Sequence, residues 1–445
     1  MMPHSLRRKF SLALIGFGIS FLTIAFFIEK FGLSVGTIRV QIMLGFLGTM
    51  LVLGGALERR FALAYRGLAV IGLNSIVLMI CLELAATAVN QLAREPSTDG
   101  AQTLFVPPDG DLELIFEEVR EAKFDRNLYV GWMNKPYSGQ TLAISSDGLR
   151  QTPGAACESD ALRIFAFGGS TMWGEGASNE GTIPAYLQSM LAPRLDRPLC
   201  VTNYAQRAWV STQSLVKLII ELQKKNFPDV VIFYDGYNDV YAGYATGRVG
   251  VPENFYQMSE SDEESRGGKR QLIQLVQKTE LGKLAMRFAT KPSDNPRSID
   301  PIQMSESIVD AYQHVRKITE SLADTYGFAF KFYWQPQLAA GTKPLSDGER
   351  TMLESHPWLP EMVRNLTDAT YARIEQAAAT DDDLIDLSDV FAEVSDQIYI
   401  DPAHITSSGN QIVAQAMLEF GLREIVMIKA SEHISSKTQT PSRDD

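Results

Sequence analysis

Five short apolar runs, separated by segments of helical periodicity, constrain the fold more than any other feature of this 445-residue chain. They occupy residues 162–167, 201–204, 230–234, 328–334 and 384–387, and most are rich in β-branched or aromatic side chains. Between them, residues 184–191, 214–225, 304–326 and 360–378 repeat apolar positions every three to four residues, and a last such pattern covers 408–428. Short continuous apolar runs belong to strands buried on both faces, and strands that alternate with helices build parallel β-α-β units. The expected fold class is therefore α/β, with a parallel sheet covered by helices on both faces.

In such sheets ligands bind beyond the carboxyl ends of the strands, and the chemically capable residues fall there. Ser170 follows the first run, Asn203 and Ala205 close the second, Asn238 follows the third, and Asp401 and His404 come after the fifth. A serine needs a base to become nucleophilic at neutral pH. Of the five histidines, His4 lies in the N-terminal segment, His433 near the C-terminus, His314 mid-helix and His356 beside Pro357. Only His404 stands three residues after an aspartate in a turn, where Asp401 can hold one ring nitrogen and direct the other at Ser170. A helix cap or a salt link is the alternative for an isolated D-x-x-H. An ester's tetrahedral intermediate needs donors for its oxyanion. The Asn238 amide and the backbone N–H groups of Ser170 and Ala205 are the candidates, although Asn238 beside Gly236 also suits a plain turn. Gln335 and Gln337 follow the fourth run and either touch substrate or are ordinary polar side chains facing water. Met172 stands where the G-x-S-x-G elbow needs its last glycine, which argues against that arrangement. No CxxC and no Cys/His cluster suggests a metal, and no cofactor is expected.

The N-terminal part is different. Residues 11–28 and 40–57 are two 18-residue stretches without a charge, and residues 67–89 contain only Glu83. Eighteen helical residues span about 27 Å, close to a bilayer core. Three transmembrane helices are expected over residues 1–92; a cleavable signal peptide would account for the first stretch only. Arg7, Arg8 and Lys9 precede the first stretch, and Arg59, Arg60 and Arg66 lie between the second and third. This bias puts the N-terminus in the cytoplasm and everything after about residue 92 outside it. Residues 1–95 carry nine basic and four acidic side chains, net +5, so the remainder carries −17 against −12 for the whole chain. An acidic domain of this kind argues against nucleic acid as partner. Residues 93–124 read as a linker and short helix, 246–301 as an insertion able to overhang the site, and 431–445 as a polar, disordered tail. Cys157 and Cys200 precede neighbouring runs; they form either a disulfide or two small buried thiols.

Together the motifs resemble those of SGNH/GDSL-type hydrolases. Gly168-Gly169-Ser170-Thr171 is similar to the family's nucleophile block, Gly236-x-Asn238-Asp239 to its G-x-N-D block, and Asp401-x-x-His404 to its terminal block. The resemblance covers roughly residues 125–427, within a hydrolase domain expected over 125–430. It implies a flavodoxin-like three-layer α/β/α sandwich, Ser170 as nucleophile, His404 as base, Asp401 as its orienter and Asn238 as an oxyanion donor, with Gly169 and Ala205 beside the substrate. Ala205 departs from the pattern, which has glycine as the second donor. The implied function is a membrane-anchored serine esterase of the bacterial inner membrane, its catalytic domain periplasmic, acting on acyl or acetyl esters of an envelope glycan or lipid. An acyltransferase using the same serine and a catalytically dead glycan-binding module are the alternatives. Nothing in the sequence fixes the oligomeric state.

Overall fold

The structure, a computed structural model, describes residues 4–27, 37–56, 74, 77–87, 89, 112–253, 279–282, 284, 299–356 and 359–438. The chain divides into two units, residues 1–95 with 269–291 and residues 96–268 with 292–445.

In the first unit, helices His4–Phe27 and Thr37–Ala56 pack together. Gly18 and Gly48 face each other so closely that a Cβ on either would run into the other's carbonyl oxygen. Ser11 Oγ donates to Gly55 O at 2.6 Å across the same seam. Residues 77–87 are helical, and Glu83, the charge inside the third apolar stretch, accepts from the backbone N–H groups of Glu280 and Leu281. A carboxylate at the start of a helical turn offsets the unpaired N–H groups there. Among the described residues no helix is long and apolar enough to cross a membrane, so the structure does not show the three expected spans. Most of the expected insertion at 246–301 lies outside the described residues; its described residues 279–282 and 284 group with the N-terminal unit.

The second unit holds the sheet. Two hairpin-like pairs come first: β1 (Phe124–Asn127) with β2 (Gly131–Asn134), and β3 (Tyr137–Ser138) with β4 (Ala143–Ile144). Five parallel strands follow, β5 (Leu162–Gly168), β6 (Leu199–Asn203), β7 (Val230–Asp235), β8 (Ala329–Trp334) and β9 (Leu384–Asp386), in spatial order β6-β5-β7-β8-β9. Counted along the chain this is 2-1-3-4-5, the flavodoxin-like order, whose direction reverses between β5 and β7.

Alternation along the strands explains the three layers. Leu162, Ile164 and Ala166 of β5 and Val230, Ile232 and Tyr234 of β7 face one core, packed by helices Ile183–Leu191, Ser407–Met417 and Arg423–Thr438. Phe165, Phe167, Val231, Phe233, Phe332 and Trp334 face the other, packed by helices Ser211–Gln223, Tyr237–Thr246, Pro301–Tyr326 and Glu361–Ala378. The parallel register sets Phe167 opposite Phe233 and Phe233 opposite Phe332. Their rings stack at 5.3 and 4.4 Å, a cross-strand aromatic ladder that locks the register of the three central strands.

Two expectations need adjustment. The last helical pattern is not one helix: Phe420 and Gly421 leave helical geometry, Gly421 at φ 96°, and Tyr333 Oη donates to the carbonyls of Met417 and Phe420 freed by the break. The helix after the break continues to Thr438, so the first half of the expected tail is helical. Residues 423–438 contain neither glycine nor proline, and nothing in that stretch stops a helix.

Cys157 and Cys200 form a disulfide, with Cα atoms 4.8 Å apart. β5 and β6 are parallel neighbours with Arg163 opposite Cys200, which brings the segment entering β5 alongside the start of β6. The bridge closes a 43-residue separation, and chain-entropy reasoning assigns a loop of that length roughly 3–4 kcal/mol of stabilisation. Cys157→Ser, or reduction of the wild type, should lower the melting temperature in a thermal scan. Equal melting of oxidised and reduced protein would show that the bridge constrains nothing.

Candidate active site

The crevice at the strand-order reversal is where the sequence places its chemistry. β5 ends at Gly168 and the chain turns directly into the short helix Ser170–Trp173, with Ser170 at its first position. β7 ends at Asp235, and helix Tyr237–Thr246 carries Asn238 in its first turn. Gly169 is required between them: a Cβ there would collide with Asn238 Nδ2. Asn203, at the end of β6, donates from its amide to the carbonyls of Met172 and Trp173 at 3.3 and 3.2 Å, tying that strand to the serine turn.

Asp401 and His404 arrive from the loop after β9. An antiparallel bridge between Tyr399 and Ile405 closes this loop, and Ile400 N donates to His404 O. Fully buried Glu349, paired with Lys343 at 2.8 Å, accepts from Ile398 N and Tyr399 N and so anchors the loop's entry. Asp401 Oδ1 accepts from the backbone N–H groups of Ala403 and His404, both at 2.8 Å. Its Oδ2 lies 2.6 Å from His404 Nδ1, and His404 Nε2 lies 2.6 Å from Ser170 Oγ. With the imidazole neutral, Nδ1–H donates to Asp401 and Nε2 accepts the serine proton. The arrangement can therefore take a proton from Ser170 and balance the resulting imidazolium with Asp401.

Charge follows from these contacts. Burial opposes ionisation of Asp401, but the His404 charge and three hydrogen bonds hold its carboxyl below the usual aspartate range. Burial likewise opposes the imidazolium of His404; Asp401 and then Glu175 outweigh it and raise His404 to about 9, with Arg207 acting in the opposite sense.

Asn238 Nδ2 donates to Trp209 O at 2.8 Å, which fixes the amide plane and leaves its second N–H for another acceptor. Ala205 stands apart from this group. It is fully buried, its N–H donates to Asn203 Oδ1 at 3.1 Å, and it does not line the cleft. Three residues on, Ala208 does line it, in the left-handed region at φ 60°. The β6 exit loop thus spends the Ala205 N–H on its own asparagine, and Ala208 is the alanine of that loop that reaches the cleft. Gly169 lies under Asn238 rather than on the cleft wall. Gln335 and Gln337 are buried and do not line it either; Gln335 Oε1 accepts from Thr171 Oγ1.

The cleft, about 580 Å³, also draws on residues that carry no sequence motif. Trp132 on β2, Arg207 on the β6 exit loop, and Tyr237 and Tyr241 on one helix face form its walls, and Glu175 lies 3.6 Å from His404 Nε2. The hairpin is fixed to that exit loop: Trp132 Nε1 donates to Arg207 O, Gln206 Oε1 accepts from Asn134 N and Nδ2, and Gln213 donates to Val130 O. Val130 and Trp132 bury themselves on Trp209. His356, set aside on sequence, is buried within electrostatic reach of Asp401.

Two further acids flank the turn that leads to Asn238, Asp235 at the end of β7 and Asp239 in the first turn of the next helix. Asp239 accepts from Ser211 Oγ at 2.7 Å, joining the starts of two helices, and burial raises its pKa to about 6. Asp235 is buried, and among the described residues neither of its oxygens has a hydrogen-bond partner. Burial first, and the Asp239 charge second, push its pKa well up from the ordinary aspartate value.

No protein-family model and no curated protein matches the chain. Solved structures do. TesA shares 13% identity with a TM-score of 0.32, covering 59% of this chain and 98% of that one. A catalytic mutant of Axe2, an acetylxylan esterase from Geobacillus stearothermophilus, shares 12% with a TM-score of 0.33 over 61% and 96%. A lipolytic protein of the G-D-S-L family from Desulfitobacterium hafniense shares 10% with a TM-score of 0.30 over 58% and 99%. At such identities and scores these likenesses assign no activity to the chain.

Two measurements follow from the charges. Below its pKa, His404 is protonated and cannot accept the serine proton. The rate of Ser170 labelling by a fluorophosphonate should therefore rise with pH to a midpoint near 9, well above an ordinary histidine; a midpoint near 6.5 would contradict the proposed charge balance. Because burial raises the Asp235 pKa in the fold above the ordinary carboxylate value of about 3.9, stability falls as pH rises past that value. Asp235→Asn should melt close to wild type at pH 4 and a few degrees above it at pH 8.

Proposed function

We infer that the chain is a serine carboxylic-ester hydrolase that cleaves acyl or acetyl esters through a covalent acyl-serine. The observation that carries this reading is the unbroken relay Asp401–His404–Ser170, with both contacts at 2.6 Å, opening into a cleft at the strand-order reversal. Ser170 Oγ attacks the ester carbonyl as His404 Nε2 takes its proton. The oxyanion is received by the free N–H of the Asn238 amide and the backbone N–H groups of Ser170 and Ala208, none of the three N–H groups being spent on another described residue. His404 then protonates the leaving alcohol, and water, deprotonated by the same nitrogen, releases the acid and restores Ser170.

The site works on the outer face of a membrane, with the chain held there by its N-terminal segment. The three apolar stretches at 11–28, 40–57 and 67–89 and the basic residues flanking them support the anchoring and its direction. The Cys157–Cys200 disulfide supports an oxidising compartment for the second unit. An acetylated or acylated envelope glycan fits a cleft that mixes aromatic faces with charged side chains.

With p-nitrophenyl acetate, Ser170→Ala should lose at least about 10³-fold in kcat/KM while keeping the wild-type melting temperature. Asn238→Ala should lose about 10²–10³-fold, chiefly in kcat. A Ser170→Ala variant that turns over at the wild-type rate would end this reading. Anchoring is tested separately: the full chain should stay with the membrane fraction after carbonate washing.

A further inference from the structure

Glu175 has no part in the relay, yet its position is fixed by it. Gly174 ends the Ser170–Trp173 helix in the left-handed region, and both Gly174 N and Glu175 N donate back to Ser170 O, at 2.8 and 2.9 Å. The carboxylate is thereby tethered to the serine turn and carried into the cleft, where Oε2 stands 3.6 Å from His404 Nε2. That distance is too long for a direct hydrogen bond. The side chain is 22% exposed, and no described residue donates a hydrogen bond to its oxygens.

The nearby cation does not use them. Arg207 is clamped between the rings of Phe124 and Trp173 and donates to the carbonyls of Val119 and Ala122. It balances the charge of Glu175 without filling its lone pairs. An ionised carboxylate only accepts, so what Glu175 lacks is a donor, and its place beside the catalytic nitrogen says when that donor arrives. Once Ser170 Oγ is esterified it no longer offers a proton to Nε2. With the imidazole neutral, two acceptors then face the cleft side by side, the Nε2 lone pair and the Glu175 carboxylate. A simple alcohol brings one O–H and satisfies one of them. A vicinal diol brings two, spaced closely enough to satisfy both.

We propose that Glu175 determines specificity for vicinal diols, so that the alcohol part of the ester, and any acceptor that replaces water, is a sugar-like polyol. This rests on the acyl-serine reading above. In the transfer step the reacting hydroxyl gives its proton to His404 Nε2 while its neighbour donates to Glu175. The oxygen attacks the acyl carbon, the bond from that carbon to Ser170 Oγ breaks, and Oγ takes the proton back from Nε2. No proton remains over, and Glu175 keeps its charge throughout. Run in reverse, the same cradle holds the departing hydroxyl of an acylated sugar, so one residue serves hydrolysis and transfer alike.

The test uses competition within one acyl-enzyme, whose product ratio does not depend on how much enzyme is active. The full-length protein in detergent is acetylated with p-nitrophenyl acetate in the presence of equal concentrations of methanol and ethylene glycol. The ratio of 2-hydroxyethyl acetate to methyl acetate is then read by NMR. In Glu175→Ala that ratio should fall about tenfold from wild type, the worth of one hydrogen bond to a charged acceptor. E175Q, which keeps a weaker acceptor in place, should lie between the two. A ratio in Glu175→Ala equal to that of wild type would overturn the role of Glu175 and leave the esterase reading standing. No release of p-nitrophenol by the wild type would overturn the acyl-serine reading, and this proposal with it.

Discussion

The pairing of β5 with β7 is the constraint on which the site depends. These strands are neighbours in space but not along the chain, because β6 is laid down on the far side of β5. The connections leaving them therefore turn to opposite faces of the sheet, and a crevice opens between their ends. Ser170 begins one departing helix and Asn238 lies in the first turn of the other. The aromatic ladder Phe167–Phe233–Phe332 holds that register across three strands. A one-residue slip would turn every ring to the opposite face and carry the serine away from the amide.

Around this crevice, polar side chains hold loops in place rather than contacting each other at random. Glu118 accepts from the N–H groups of Gln140, Thr141 and Leu142 and from Thr141 Oγ1, joining helix Leu112–Glu121 to the β3–β4 connection. Gln206 and Gln213 fasten the hairpin that walls the cleft, and Glu349 fastens the loop that delivers the aspartate and histidine. Each satisfies backbone groups that a loop would otherwise bury unpaired. The regular layers set the position of the site, and these few amides and carboxylates set its shape.

The central sheet was legible in the sequence because its strands are buried on both faces and so appear as continuous apolar runs; all five are present within a few residues of the expected bounds. Other parts left weaker traces. The Ser170–Trp173 helix is four residues long, too short for any periodicity to register. Hairpin β1–β2 has polar and exposed positions and owes its form to contacts with a loop some seventy residues away. The break at 418–422 did leave a signal, Gly421, which an unbroken apolar pattern on either side conceals. The place of Ala208 on the cleft was hidden for a different reason: a left-handed alanine looks like any other alanine until the backbone is seen. Glu175, Arg207 and Trp132 share no motif because the cleft gathers them from separate segments.

Ala208 also bears on how such a site changes over time. An alanine in the left-handed region costs roughly 1 kcal/mol relative to glycine, and here its methyl group takes up room on the cleft wall. Strain and a narrower mouth come together in one carbon atom. Replacement by glycine would release both at once and leave the relay untouched. Because alanine and glycine codons differ by a single base, the width of the cleft at this point lies one nucleotide from change, and selection can widen or narrow it without rebuilding the relay.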